Sequence, residues 1–340
     1  MATKKAAPTR RSRVRVVNDT QIVRHDRATL LARGLFVLKP DRGEKTISEE
    51  PGMKQTKSVR LHTKVTLQGV EVTYNHPPMG ATELRVLTAL LALVQGHTRG
   101  ERSHYDVEDN SKEAEEAWES LGGRELAPLF GKSIVTLRTS KRQITESIYA
   151  VKNGLPPTLG GNMVAEAMEA LENLAEVTIE LKSKEARKSL KAPLISTLFQ
   201  SESDDEGVAI LLNPRLATAI FRGPGSFSLV PVGDMRRMRS KAAVLLLNRL
   251  CSFIDPGKTK VVGEGRLHEY IWGSEAADEY RDRRKTINRA LTEMESTGWS
   301  FTRIPSVGYP WTWQIARPSV RQGPQAELEF GSLTEEDASQ

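Results

Sequence analysis

Cysteine is almost missing from this 340-residue sequence, which holds one, Cys251. A single thiol excludes a disulfide framework or a cysteine-based zinc site within the chain, and it fits a reducing compartment. Histidine is sparse as well. His25, His62, His76, His97, His104 and His268 are scattered without the spacing of metal ligands, so neither a metal nor another cofactor is expected. No apolar run approaches the roughly 18 to 20 residues needed to span a bilayer. The start, Met1-Ala2-Thr3-Lys4-Lys5, leads into no apolar core of the kind a secretory signal needs. The expectation is a cytoplasmic protein with no membrane partner.

Catalytic motifs fail in turn, so the chain is expected not to be an enzyme. Gly257-Lys258-Thr259 ends like a phosphate-binding loop, but the earlier glycine position holds Ser252 and the segment leads into a strand. Asp204-Asp205 lies in an acidic turn without a histidine or third carboxylate at motif spacing, which leaves two-metal nuclease chemistry unsupported. Tyr149, Tyr270, Tyr280 and Tyr309 include no strand-transfer nucleophile beside a histidine cluster. Cys251 sits in an apolar helical pattern and reads as core.

What is present is basic charge and a repeated order of elements. Lys and Arg number 49 against 43 Asp and Glu, a net charge of +6, with a pI near 9.3. Such a balance speaks of partners, not of fold. Residues 1–22 read as a disordered basic arm carrying Lys4, Lys5, Arg10, Arg11, Arg13 and Arg15, and 319–340 as a disordered acidic tail with Glu327, Glu329, Glu335, Glu336 and Asp337. Alternating apolar residues from Val65 to Tyr74, broken at Gln68-Gly69, predict a β-hairpin. Thr82 opens a helix with Leu84, Leu87, Leu91 and Val94 on one stripe, ended by Gly96. Residues 97–128 are polar and acidic, with Trp118 and Leu121 as anchors of a short helix.

The next stretch reads as strand (Ile134–Leu137), helix (capped at Thr139 or Ser140, with Ile144 and Ile148), turn and second helix (Met163 to Leu174). A strand (Val177–Leu181), a charged loop (Lys182 to Lys191) and a return strand (Leu194–Phe199) follow, and Val208–Leu212 adds a third. This is the order of a winged helix-turn-helix, in which a small helical core holds one helix outward and the loop between strands reaches the nucleic-acid backbone. The order recurs. A helix from Ser240 to about Ile254 stops at Asp255-Pro256-Gly257. A strand at Val261-Val262, a short helix with Leu267, Tyr270 and Ile271, and a turn at Gly273-Ser274 come next. A helix from Asp278 ends at Gly298, and Trp299–Thr302, a turn at 305–310 and Trp311–Ile315 close the unit. Met168-Glu169-Ala170-Leu171 before Val177-Thr178-Ile179 parallels Asn288-Arg289-Ala290-Leu291 before Ser300-Phe301-Thr302, a faint internal repeat. The fold class expected is α+β, mostly helical: two tandem winged helix-turn-helix domains, 23–212 and 213–318, between the two tails.

Stepping about 100° per residue from Ile287 places Leu291, Met294 and Tyr280 on the buried side of the helix after Asp278. Arg281, Lys285, Asn288, Arg289 and Thr292 fall opposite, with Arg284 at the boundary. Arg pairs with guanine and Asn with adenine through two hydrogen bonds each, so Arg281, Arg284, Lys285, Asn288 and Arg289 are the candidate base readers. Acidic neighbours Asp278, Glu279, Asp282, Glu293 and Glu295 also fit a plain solvated face. The equivalent helix of the first half is acidic outward (Glu166, Glu169, Glu172), which phosphates repel. Its basic residues lie beside it: Ser140, Lys141 and Arg142 at the preceding helix, and Lys184, Arg187 and Lys188 in the wing. These are the candidate backbone contacts.

Val23-Arg24-His25-Asp26 with Gly34-Leu35-Phe36, the run Leu250–Thr259, Tyr270-Ile271-Trp272 with Ser274-Glu275-Ala276, and Arg281, Arg283, Arg284, Ala290, Leu291, Gly298 and Trp299 together resemble the RepC initiators of IncQ-type plasmids. The resemblance implies two winged-helix domains that bind directly repeated origin sequences (iterons) in double-stranded DNA, melt nearby duplex and lead to loading of a plasmid-encoded helicase. Self-association on the DNA is a further expected partnership. In that family helicase and primase are separate proteins, in keeping with the failed phosphate loop. The longer basic arm, the acidic tail and the acidic first recognition helix depart from the pattern. A winged-helix transcriptional repressor and a relaxase or nickase are the competing classes.

Overall fold

The computed structural model describes residues 21–38, 60–67, 70–96, 102–149, 158–183, 188–199, 207–221, 227–273, 280–304 and 311–319. Outside them lie most of the basic arm, the Gln68-Gly69 turn, Asp204-Asp205, Lys184, Arg187, the Asp278 cap, the 305–310 turn and the acidic tail. Gln21 and Ile22, counted in the arm from sequence, belong to the fold: the Gln21 amide donates to the Ala92 carbonyl at 2.7 Å.

In chain order the first half comprises β1 (Ile22–Asp26), α1 (Arg27–Leu31), β2 (Leu61–Leu67), β3 (Val70–His76), α2 (Ala81–Gly96), β4 (Arg102–Asp106), α3 (Lys112–Glu119), α4 (Ala127–Phe130), β5 (Ser133–Ser140), α5 (Lys141–Ile148), α6 (Gly161–Ala175), β6 (Thr178–Ser183), β7 (Lys188–Pro193), β8 (Ile195–Phe199) and β9 (Gly207–Leu212). The second comprises α7 (Pro214–Phe221), β10 (Phe227–Pro231), α8 (Val232–Arg237), α9 (Lys241–Cys251), β11 (Thr259–Gly263), α10 (Glu264–Trp272), α11 (Tyr280–Glu295), β12 (Ser300–Ile304) and β13 (Thr312–Ala316). The fold is α+β. Helices hold less than half of the described residues, so "mostly helical" is corrected: four antiparallel sheets share the frame. Among the described residues no helix is long and apolar enough to cross a membrane.

Helices α2 and α9 form the centre. In α2 every residue from Val86 to Val94 is buried, and in α9 every residue from Ala242 to Cys251. A helix with no solvent side needs partners all round. Helix α2 packs on α5, α6 and β1, α9 packs on α10 and α11, and the two pack on each other. The apolar stripe read from sequence is therefore a minimum. Ala89, Ala92 and Ala242 belong to the enclosed surface as well.

The chain start closes the seam. Strand β1 pairs antiparallel with β10, Val23 opposite Val230, and α7 lies against β1. Several arginines then cross between halves to reach backbone carbonyls. Arg24 donates to Ile220 O at 3.3 Å, Arg27 to Ser252 O at 2.9 Å, and Arg249 to Ala32 O at 2.9 Å. Arg236 donates to Tyr149 O at 2.6 Å and Glu146 O at 3.1 Å, and Arg85 reaches Met238 O. Arg317 closes the second half on itself, meeting Cys251 O at 3.2 Å and Ile254 O at 2.7 Å at the carbonyl end of α9, where the helix dipole favours a cation. Segment 213–239, unassigned from sequence, supplies α7, β10 and α8 to this seam.

The first-half wing differs from its expected course. Its return strand is β7, paired Leu181↔Leu190 and Ile179↔Ala192, so Lys188 and Lys191 lie on a strand. Leu190 and Ala192 alternate with polar residues and face inward with Leu181 and Ile179, an alternation that the lysines hid. Strands β8 and β9 do not extend the wing: with β4 and β5 they form a separate sheet in the order β4-β5-β9-β8, while the wing sheet is β2-β3-β6-β7.

His25 is fully enclosed beside Asp26, whose carboxylate caps α1 through Thr29 N at 2.8 Å and pairs with Arg215 at 3.1 Å. Burial lowers the His25 pKa from 6.5 to about 4. Between those values the unfolded chain takes up a proton that the folded chain refuses, so stability falls as pH drops through this window, by about 3 kcal/mol at most. Urea unfolding of wild type and His25→Gln at pH 7, 6 and 5 should show the difference between them narrowing as pH falls. A difference that stays constant would mean that His25 titrates normally in the fold.

Candidate nucleic-acid interface

Helix α11 is set in place from beneath. Ile287, Ala290, Leu291 and Met294 are buried against the core. Glu293, expected on a solvated face, is half-buried instead. Its carboxylate accepts from Ser240 N at 3.1 Å and Ser240 Oγ at 2.7 Å, and so caps α9, where the helix's unpaired N–H groups favour an anion. Ser240 Oγ in turn accepts from Ala243 N at 3.2 Å. The turn from α10 runs through Gly273 at φ 79, where a Cβ would stand 3.0 Å from Val37 Cγ1 and 3.3 Å from Gly34 Cα. Only glycine fits that close approach and backbone.

The opposite face carries Arg281, Lys285, Asn288, Arg289 and Thr292, all exposed. Lys285 pairs with exposed Asp282 at 3.2 Å, a contact of little strength. Arg284 stands apart. Its Nε and Nη2 make two hydrogen bonds to Glu264 on α10, at 2.8 and 3.0 Å, and Glu264 is 2% exposed. Its guanidinium also lies 5.0 Å from the Trp311 ring centre. In this arrangement Arg284 ties α11 to α10 and to the wing, while the other four candidates keep their polar groups outward.

Strands β12 and β13, where the second wing is expected, pair antiparallel, with β11 alongside in the order β11-β13-β12. Arg303 lies 3.5 Å over the Trp311 ring and 5.2 Å from that of Trp313. The sequence reading missed Arg303 and Glu264. The alternations Phe301-x-Arg303 and Trp311-x-Trp313, on strands that pair with Arg303 opposite Trp313, carried a signal for the first; nothing local marked the second.

The first half presents different chemistry. Glu166, Glu169 and Glu172 are exposed on α6. Ser140 caps α5, its Oγ accepting from Gln143 N at 3.1 Å. Arg142 pairs with buried Glu146 at 2.8 Å, and Lys141 is half-exposed. On the wing, Lys182 and Lys191 flank Glu180 at 3.5 and 3.7 Å. The Ser189 hydroxyl donates to the same carboxylate, and these neighbours hold the Glu180 pKa below the ordinary range. Lys188 begins β7, and 184–187 join the two strands. Cys251 is buried, which raises its thiol pKa to about 11 and leaves it a core group.

The family described as Replication protein C (RepC) matches residues 123–319, more than half of the chain. The chain belongs to the replication protein C family. Comparison with curated proteins gives no match. Two solved structures are similar in general course. One is of domain 2 and domain 3 of RctB, at 12% identity and a TM-score of 0.44, over 89% of this chain and 99% of that one. The other is of Pi initiator protein in complex with iteron DNA, at 14% identity and a TM-score of 0.40, over 88% and 97%. The RepC match spans α5, α6, both wings and all of the second half, and so includes both candidate DNA faces.

The Arg284–Glu264 pair yields a stability prediction. Arg284→Ala would leave a buried carboxylate without its partner and should cost about 3 to 5 kcal/mol in urea unfolding. The double mutant Arg284→Ala/Glu264→Gln should recover part of that loss. A single mutant of wild-type stability that loses only base preference would instead make Arg284 a reader.

Proposed function

We propose that this chain initiates plasmid replication by binding directly repeated origin sequences in double-stranded DNA, opening the adjacent duplex and helping to load a plasmid-encoded helicase. The observation that carries the proposal is the exposed Arg281, Lys285, Asn288 and Arg289 face of α11, in a chain of the replication protein C family. Its setting supports this reading. The order α9, β11, α10, α11, β12, β13 with β13 central in its sheet is that of a winged helix-turn-helix, which lays its second helix in the major groove. Arg281, Lys285, Asn288 and Arg289 then meet base edges, and Arg284 positions the helix through Glu264. The chain acts by binding, with a single buried thiol and no assigned catalytic group.

The division of labour follows from charge. The acidic outer face of α6 disfavours close approach to phosphates, so the first half (23–212) holds the backbone from its margins and the second (213–318) reads bases. Because Glu180 engages Lys182 and Lys191, the backbone contacts of the wing fall to Lys184, Arg187 and Lys188, with Ser140, Lys141 and Arg142 beside them. The terminal arm adds sequence-independent phosphate affinity, and neighbouring copies associate along the repeats.

Two sets of mutants test this division. Asn288→Ala and Arg289→Ala should each relax preference for single base pairs by about 1 to 3 kcal/mol. The triple mutant Lys184→Ala/Arg187→Ala/Lys188→Ala should keep sequence preference but flatten the slope of log affinity against log salt by roughly two to three, since each phosphate contact contributes about 0.9. The measurement is a salt titration on a cognate and a scrambled repeat. An unchanged slope would remove the first wing from the interface, and a changed preference would mean that the first half, not only the second, reads bases.

A further inference from the structure

We propose that Arg303 enters the minor groove beside the bases read by α11 and selects A·T pairs there. The inference rests on the winged-helix reading of the second half and adds a residue and a second groove to it. Three observations bear on Arg303. It is exposed near the tip of β12, and it shares the face of the sheet that carries Trp313, its cross-strand partner. Its guanidinium lies 3.5 Å over Trp311 and 5.2 Å from Trp313. No carboxylate among the described residues pairs with it, whereas Arg284, which shares the Trp311 ring, is neutralised by Glu264 at 2.8 Å.

Together these make a pre-aimed cation. Stacking on an indole fixes the plane of a guanidinium and leaves its N–H edge free. The rotamer freedom that a surface arginine loses on binding is then already reduced. A flexible lysine suffices for a phosphate, which accepts from many directions. A planar, oriented fork suits a narrow slot lined with acceptors, and the minor groove of A·T pairs is such a slot: it is narrow, strongly negative and free of the guanine amino group. The shared Trp311 couples the two grooves. Arg284 holds α11 to one ring and Arg303 extends from it, so the wing cation is registered to the reading helix.

The test exchanges base pairs flanking the footprinted α11 site, one at a time, from A·T to I·C and to G·C. Inosine keeps the minor-groove pattern of A·T and changes the major groove, whereas guanine adds the minor-groove amino group. Wild type should bind A·T and I·C flanks alike and G·C about fivefold or more weaker at one position. Arg303→Ala should lose that discrimination, with binding on the G·C flank little changed. Arg303→Lys should keep affinity and lose most of the discrimination. Trp311→Leu, with Arg303 intact, should reduce it, and intact unfolding cooperativity of each variant checks the fold. Equal loss on all flanks with Arg303→Ala would make Arg303 a phosphate contact and overturn the proposal, as would discrimination of I·C from A·T or no effect of the substitution. Failure of wild type to bind any repeat would instead contradict the initiator reading itself.

Discussion

The frame depends on buried arginines bound to backbone carbonyls. Arg236, Arg249 and Arg317 are each at most 5% exposed, and all three meet main-chain oxygens at helix and strand ends. Burial lowers the Arg249 pKa to about 10, still far above neutrality, so the cation persists. A guanidinium supplies five donors in a rigid fork and can satisfy several carbonyls that neither half pairs alone. Losing one would leave carbonyls in an apolar seam without donors, at about 1 to 3 kcal/mol each. The two enclosed helices, α2 and α9, can lie against one another because these clamps and the β1–β10 ribbon seal the seam around them.

This use of arginine changes what net charge means for the molecule. A surplus of +6 is small, and part of the positive charge is engaged inside the protein or in local pairs. Arg284 is held by Glu264, Arg142 by Glu146, and Lys182 and Lys191 by Glu180. Among the described residues, α11 and β12 present the exposed cations Arg281, Lys285, Arg289 and Arg303, while α6 in the first half presents Glu166, Glu169 and Glu172. Two similar orders of helices and strands therefore present unlike surfaces. A chain with two unlike faces has no internal reason to favour a symmetric site.

Much of the local structure was legible because it obeys local rules. Ser140 and Ser240 cap the helices expected of them, Gly273 and Gly298 end theirs at positive φ, and the 3.6-residue period located the buried and exposed faces of α11. What the sequence concealed depends on distance along the chain. Glu264 lies 20 residues from Arg284, and β1 lies about 200 residues from β10, so no window contains both partners. The first wing was misassigned because Lys188 and Lys191 make β7 look like a charged loop, although Leu190 and Ala192 follow a strand's period of two. Segment 213–239 was opaque because its role is to fill a seam formed by the rest of the fold.

The most direct test of the initiator reading is a hydroxyl-radical footprint of the full chain on the DNA of its own replicon. The account predicts protection recurring in one orientation, with the same asymmetric pattern at each of several direct repeats, since one chain carries both unlike faces. Protection of one isolated inverted repeat, two-fold symmetric about its centre, would contradict it and point to a dimeric repressor.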